Sequence, residues 1–223
     1  LVLYFCTLCF PFSTSLWGHM TATAFVVCAL YCFQRDRLRS YLWCGFLMGV
    51  AVLCEYSCAL ILLSLMVSLL WMGRWRELLK VVAGGLLPLV VFLGYHKICF
   101  GSALVVANSY INPQFQQDAE RMMSMVYWFQ SMHQLTVMPY RGLFFSMPVL
   151  LFAIPALWPK RDRAYTLIEI LCIVNIVMFL IMNMSFNGWH GGAAFGPRYL
   201  IPSLPFYILA MARYTCRARA LIA

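Results

Sequence analysis

Residues 164–184 read AYTLIEILCIVNIVMFLIMNM, and residues 187–199, just beyond, read NGWHGGAAFGPRY. The first stretch is apolar and about as long as the ~20 residues a helix needs to cross the hydrocarbon core of a bilayer. The second is a polar break in which Gly188, Gly191, Gly192 and Gly196 permit backbone angles and close approaches that side chains forbid. An apolar run from Tyr199 to about Ala212 resumes after it. Similar runs precede the pair: residues 1–10, Trp17–Phe33, Tyr41–Met72 with an interruption at Glu55-Tyr56-Ser57, Leu79–Phe100 and Leu143–Trp158.

A soluble protein does not repeat such runs so often. The 223 residues are 64% hydrophobic and 10% charged, with a mean hydropathy of +0.82, whereas a soluble domain carries roughly 25% charged residues. The reading is an all-α integral membrane protein, because alternating barrel strands are absent and lipid-exposed backbone must satisfy its own hydrogen bonds. We expect a single polytopic domain over 1–223, a helical bundle of about 7–8 transmembrane or short membrane helices, with one interfacial helix in a long outer loop. The chain opens on Leu1 inside an apolar run, and we expect a natural N-terminus upstream of it.

The net charge of +9 does not point to nucleic acid, since the basic residues sit in short loops where they orient a membrane protein. Four clusters, at 35–39, 74–80, 160–163 and 213–219, hold twelve of the sixteen lysines and arginines. If all four are cytoplasmic, the segments between them each cross twice. Residues 41–72 then form a hairpin of two short helices with Glu55 at its outer tip; the alternative is one kinked helix. On the hairpin reading, residues 13–19, Glu55, the 101–140 loop and the 185–198 break share the non-cytoplasmic side of the cell (inner) membrane. In that loop Met122, Met125, Val126, Phe129, Met132 and His133 recur at helical spacing, which predicts a helix lying in the interface.

Most of the ten cysteines lie in or beside apolar runs, where cysteine behaves as a small hydrophobe, and the one CxxC, Cys6 to Cys9, falls inside the first of those runs. No phosphate loop, Ser-His-Asp order, HExxH or dinucleotide fingerprint occurs. No cofactor is named by the sequence, and a divalent metal, though compatible with it, has no motif in support.

The candidate residues are the polar groups on the outer face. Asn108, Tyr110, Asp118, Glu120 and His133 lie in the long loop, where Asp118 and Glu120 read as solvated charges. Arg141 and Arg198 stand at the outer ends of spans beside rigid turns, where a planar guanidinium suits phosphate oxygens or simply snorkels to the interface. Tyr140, Tyr199 and Trp189 read as an aromatic belt or as stacking platforms, with Trp189 the best candidate for stacking. His19 is an interfacial anchor or a ligand-facing group. Glu55 is a solvated hairpin tip or a buried carboxylate paired with Arg141 or Arg198. His190 and Asn187 complete the break.

The stretch Trp189 to Phe206 resembles a block found late in bacterial membrane glycosyltransferase-like proteins of the GT-C superfamily, related to protein O-mannosyltransferases. Ser13 to His19, Gly45 to Tyr56 and Pro139 to Pro148 look similar to the same family, in order along the chain. The resemblance implies a multi-helix enzyme that transfers a sugar from a polyprenyl-phosphate carrier to a lipid or cell-envelope glycan acceptor on the outer face of the membrane. It further implies that Arg198 and Arg141 bind the carrier phosphate, and that the catalytic carboxylate lies in a first outer loop upstream of this chain, which alone would be inactive. Two readings of other classes stand beside it: a lipid-linked-glycan transporter or flippase, and a membrane subunit without chemistry. The partners implied are the polyprenyl-phosphate-linked sugar donor, a lipid or glycan acceptor and membrane lipids.

Overall fold

The computed structural model describes residues 1–15, 17–35, 37–104, 125–158, 166–185, 190–192 and 194–222, with side chains for all of these but 125–127 and 215–222. Asn108, Tyr110, Asp118, Glu120, Asn187 and Trp189 lie outside the described residues. Every regular element among the described residues is helical. In order they are α1 (Val2–Phe5), α2 (Cys9–Ser13), α3 (Gly18–Gln34), α4 (Leu38–Cys54), α5 (Cys58–Trp71), α6 (Trp75–Phe100), α7 (Met125–Thr136), α8 (Leu143–Ser146), a 3-10 turn (Pro148–Phe152), α9 (Ala153–Leu157), α10 (Leu167–Ser185), a second 3-10 turn (Arg198–Ser203) and α11 (Leu204–Ile222). Two of them, α6 and α10, are long and apolar enough to cross a bilayer, and α4 and α5 are shorter apolar helices.

Three expectations about the runs are corrected. Residues 1–10 are not the end of one helix but α1 and α2. Pro11 lies inside α2, because proline costs little in a first turn whose N–H groups have no intrahelical partner. Leu143–Trp158 is not a continuous span: Pro148 supplies no N–H and pushes Met147 out of helical geometry, to φ −137 and ψ 70. The last run starts as a 3-10 turn around Pro202. It then continues as α11 through Arg213, Arg217 and Arg219, since arginine is a good helix former and nothing there stops the helix.

The chain packs as two compact units, Leu1–Thr23 with Ser124–Ala223, and Ala24–Met123. In the second unit α4 and α5 are separate helices of 17 and 14 residues, joined by the turn that begins at Glu55, as the hairpin reading expects. Helix α6 then returns parallel to α4 at backbone distance. A Cβ added at Gly45 would overlap the Val81 carbonyl, one at Gly84 would overlap the Leu42 carbonyl, and one at Gly49 would lie 2.7 Å from Pro88 Cβ. Small residues on both helices permit this approach, as in membrane helix pairs where close packing replaces the hydrophobic effect. Pro88 stays within α6, although it has no N–H for the Gly84 carbonyl. Cys44, Met48 and Ala51 of α4, Cys58, Ile61 and Leu65 of α5 and Val81 of α6 are fully buried. Helix α6 ends at Gly101 in the left-handed region, φ 75, where Lys97 Nζ donates to the Gly101 carbonyl at 2.9 Å.

In the first unit α10 packs against α7, α11 and the second 3-10 turn. Its start is fixed by a reciprocal cap: Thr166 N–H and Oγ1 donate to Glu169 Oε2 at 2.9 and 3.0 Å, and Glu169 N–H donates to Thr166 Oγ1 at 3.4 Å. Leu143, Met147, Leu150, Phe179, Leu204 and Phe206 are among its buried core residues.

Candidate functional site

The site is built on the glycine-rich break of the first unit. Gly191, Gly192 and Gly196 adopt φ values of 69, 63 and 63, the left-handed region that costs other residues about 1–2 kcal/mol. At two of them a side chain would also be tightly packed. A Cβ at Gly191 would meet Arg198 Cγ at 3.1 Å, and one at Gly196 would meet Leu8 Cδ1 at 3.0 Å. His190 Nδ1 accepts from the Gly192 N–H at 3.0 Å, which assigns the proton of a neutral ring to Nε2.

Arg141 holds this loop. Its side chain is 4% exposed, Nη1 donates to the Gly196 carbonyl at 3.2 Å, and Nη2 donates to the Gly192 carbonyl. Its Cζ lies 4.6 Å from the centre of the exposed Tyr140 ring. The guanidinium is therefore spent chiefly on backbone carbonyls. It stands on a tight turn, because a Cβ at Gly142 would overlap the Met138 carbonyl.

Arg198 opens the second 3-10 turn, and its N–H donates to the Gly196 carbonyl at 3.1 Å. Its half-buried side chain runs along Gly191, and Cζ sits 4.0 Å from the Trp17 ring centre and 5.0 Å from that of Tyr199. Nη2 donates to Tyr199 Oη at 3.1 Å, while Nε is buried with no hydrogen-bond partner among the described residues. His19, 5% exposed, lies nearly parallel to Trp17 at 6.2 Å and edge-on to Tyr199 at 5.7 Å.

The structure thus brings together Arg198, Tyr199 and His19, and ties Arg141 with Tyr140 and His190 to the same loop. Glu55 belongs to the second unit. The residue missed from the sequence is Trp17, which forms the platform under Arg198; its signal was its place in the stretch Ser13 to His19. A second omission is His96 in the second unit, 1% exposed, stacked on Phe92 at 4.1 Å and bonded through Nε2 to Tyr56 Oη at 3.1 Å. Its signal was the Phe92, His96, Phe100 spacing on one helix face.

Chemically, the arrangement offers a permanent cation with fixed orientation, backed by aromatic rings and a stiff loop, which suits an anion. Among the described residues of the first unit the one carboxylate side chain is Glu169, 4% exposed and engaged in its helix cap. Compared with known protein families, curated proteins and solved structures, the chain matches none of them.

Proposed function

We propose that this is a multi-pass protein of the cell membrane that binds a polyprenyl-phosphate-linked sugar through the Arg198 loop, as part of a GT-C-like glycosyltransferase acting on a lipid or cell-envelope acceptor. The observation that carries the phosphate site is the Arg198 guanidinium, held between the left-handed glycine loop and the Trp17 ring at 4.0 Å. A fixed guanidinium presents several N–H groups in one plane, the geometry that phosphate oxygens accept. Arg141 serves this site by anchoring the loop.

The membrane reading is supported by α6, where Leu86, Leu87, Val90 and Val91 are exposed to an extent unusual for a protein surface in water. The same reading puts the 101–140 and 185–198 segments on the non-cytoplasmic side, with α7 (Met125–Thr136) lying in the interface. In the enzyme reading a general base must activate the acceptor hydroxyl. A second reading stands beside it: a lipid-linked-glycan transporter or inactive subunit that recognises the carrier without reacting with it.

The test is Arg198→Ala and Arg198→Lys in the membrane-reconstituted protein, read by polyprenyl-phosphate affinity and by sugar transfer. Loss of a charge-assisted contact worth about 1.5–3 kcal/mol lowers affinity about tenfold or more in Arg198→Ala, with Arg198→Lys between the two. Unchanged affinity in both variants sinks the phosphate role. Carrier binding without transfer by the intact protein decides for the second reading.

A further inference from the structure

At the turn between α4 and α5 the second unit holds a cavity of about 490 Å³ lined by Leu53, Cys54, Glu55, Tyr56, Val91 and Tyr95. Among the described residues Glu55 is the one carboxylate in its wall, and no described lysine or arginine lines it. Glu55 is also the C-cap of α4, in extended geometry with φ −153 and ψ 113. The negative end of a 17-residue helix therefore adds to the carboxylate charge, and both favour a cation. Tyr56 and Tyr95 stand in the wall, and aromatic rings of this kind stabilise organic ammonium groups. Tyr56 is held in place by its bond to His96 Nε2 at 3.1 Å, and His96 in turn by the Phe92 stack at 4.1 Å.

The size and the donor set choose among cations. A hard divalent ion takes six or more oxygens, and no group of three metal-binding side chains exists among the described residues. A cavity of this volume lined by one carboxylate and aromatic rings fits an organic amine. A carboxylate has about four acceptor positions, so an ammonium joins the partners Glu55 already has, among them Ser57 Oγ at 3.4 Å.

We infer that the Glu55 cavity is a binding site for a protonated primary amine, carried either by a lipid headgroup or by a small solute. The site is built from residues of the second unit alone and does not rest on the phosphate reading of Arg198.

The half-buried Cys54 in the wall is a built-in reporter. The full chain is reconstituted in phosphatidylglycerol vesicles with or without phosphatidylethanolamine. Parallel phosphatidylglycerol samples receive ethanolamine or N-acetylethanolamine, and Cys54 alkylation is timed by peptide mass spectrometry. The expected result is alkylation slowed about tenfold by an amine and unaffected by the acetylated probe, which has lost the charge. Protection by phosphatidylethanolamine alone names a lipid headgroup, and equal protection by ethanolamine names the amine itself, free or lipid-borne. Comparing each variant with and without amine, Glu55→Gln should abolish the protection and Glu55→Asp should retain part of it. Phosphatidylethanolamine retained on the protein, counted by native mass spectrometry in wild type and Tyr95→Leu, gives a second reading, with less retained by the variant. Protection by N-acetylethanolamine, no protection by either amine, or full protection in Glu55→Gln overturns the proposal.

Discussion

Replacing Arg141 by methionine keeps a long, largely apolar stem in a buried position and removes the guanidinium that reaches the carbonyls of Gly192 and Gly196. Two hydrogen bonds from a charged donor contribute about 1.5–3 kcal/mol each. Against them stands the desolvation of a guanidinium that is 4% exposed, a cost of several kcal/mol that the variant no longer bears. The balance lost is about 2 kcal/mol, which corresponds to a roughly 30-fold shift in the opening of the loop. Hydrogen exchange followed by mass spectrometry should therefore show the amides of 190–200 exchanging about that much faster in Arg141→Met, with α4–α6 amides unchanged. Lipid-phosphate affinity should fall in parallel, because Gly191 would no longer back the Arg198 side chain. If exchange rises equally across the chain, Arg141 is a general core residue and the clamp argument fails. If affinity falls while loop exchange stays at the wild-type level, Arg141 touches the ligand directly, and its role as an anchor is refuted.

Adjacent glycines of α6 should respond in opposite directions. A Cβ at Gly84 overlaps the Leu42 carbonyl, so Gly84→Ala should lower stability in detergent by about 2 kcal/mol or more. A Cβ at Gly85 meets the Gly45 carbonyl at an ordinary 3.7 Å, so Gly85→Ala should be neutral or raise stability by about 0.5–1 kcal/mol through helix propensity; equal thermal shifts in the two would contradict the packing described. Trp17→Leu removes the ring 4.0 Å from Arg198 and should weaken lipid-phosphate binding severalfold, in line with a cation–π contact of about 0.5–2 kcal/mol, as measured by carrier titration. Cysteines introduced at Ser102 and Lys160 should be labelled from opposite sides of intact membranes, and labelling of both from one side would overturn the orientation drawn from the basic clusters.

Much of the helical layout was legible in the residues themselves. Apolar runs mark α3, α4, α5, α6 and α10 to within a few positions, because burying or lipid-coating a helix demands a composition that any window of the chain displays. Glu55-Tyr56-Ser57 marks the turn between α4 and α5 for the complementary reason: a carboxylate in an otherwise apolar run ends it. The glycines of the break likewise announced the left-handed backbone that Gly191, Gly192 and Gly196 adopt. Proline defeated the same method at 143–158 and 199–203, where composition says span and Pro148 and Pro202 keep the chain in short helices and 3-10 turns. Composition reports solvent preference, whereas proline acts on one N–H and one φ, which a hydropathy window averages away.

The partners of each polar group belong to another level. That Trp17 rather than a residue of the break lies under Arg198, that Arg141 faces carbonyls of Gly192 and Gly196, and that α4 and α6 meet backbone to backbone at Gly45 and Gly84 are contacts between distant segments. Residue type and local period describe what a segment prefers to bury, so they supply helices, turns and candidate charges. Which charge is spent on backbone carbonyls and which lies against aromatic rings depends on the distances set when those segments pack. In this chain that separates Arg141, bonded to the loop's carbonyls, from Arg198, which lies between the loop and the Trp17 ring.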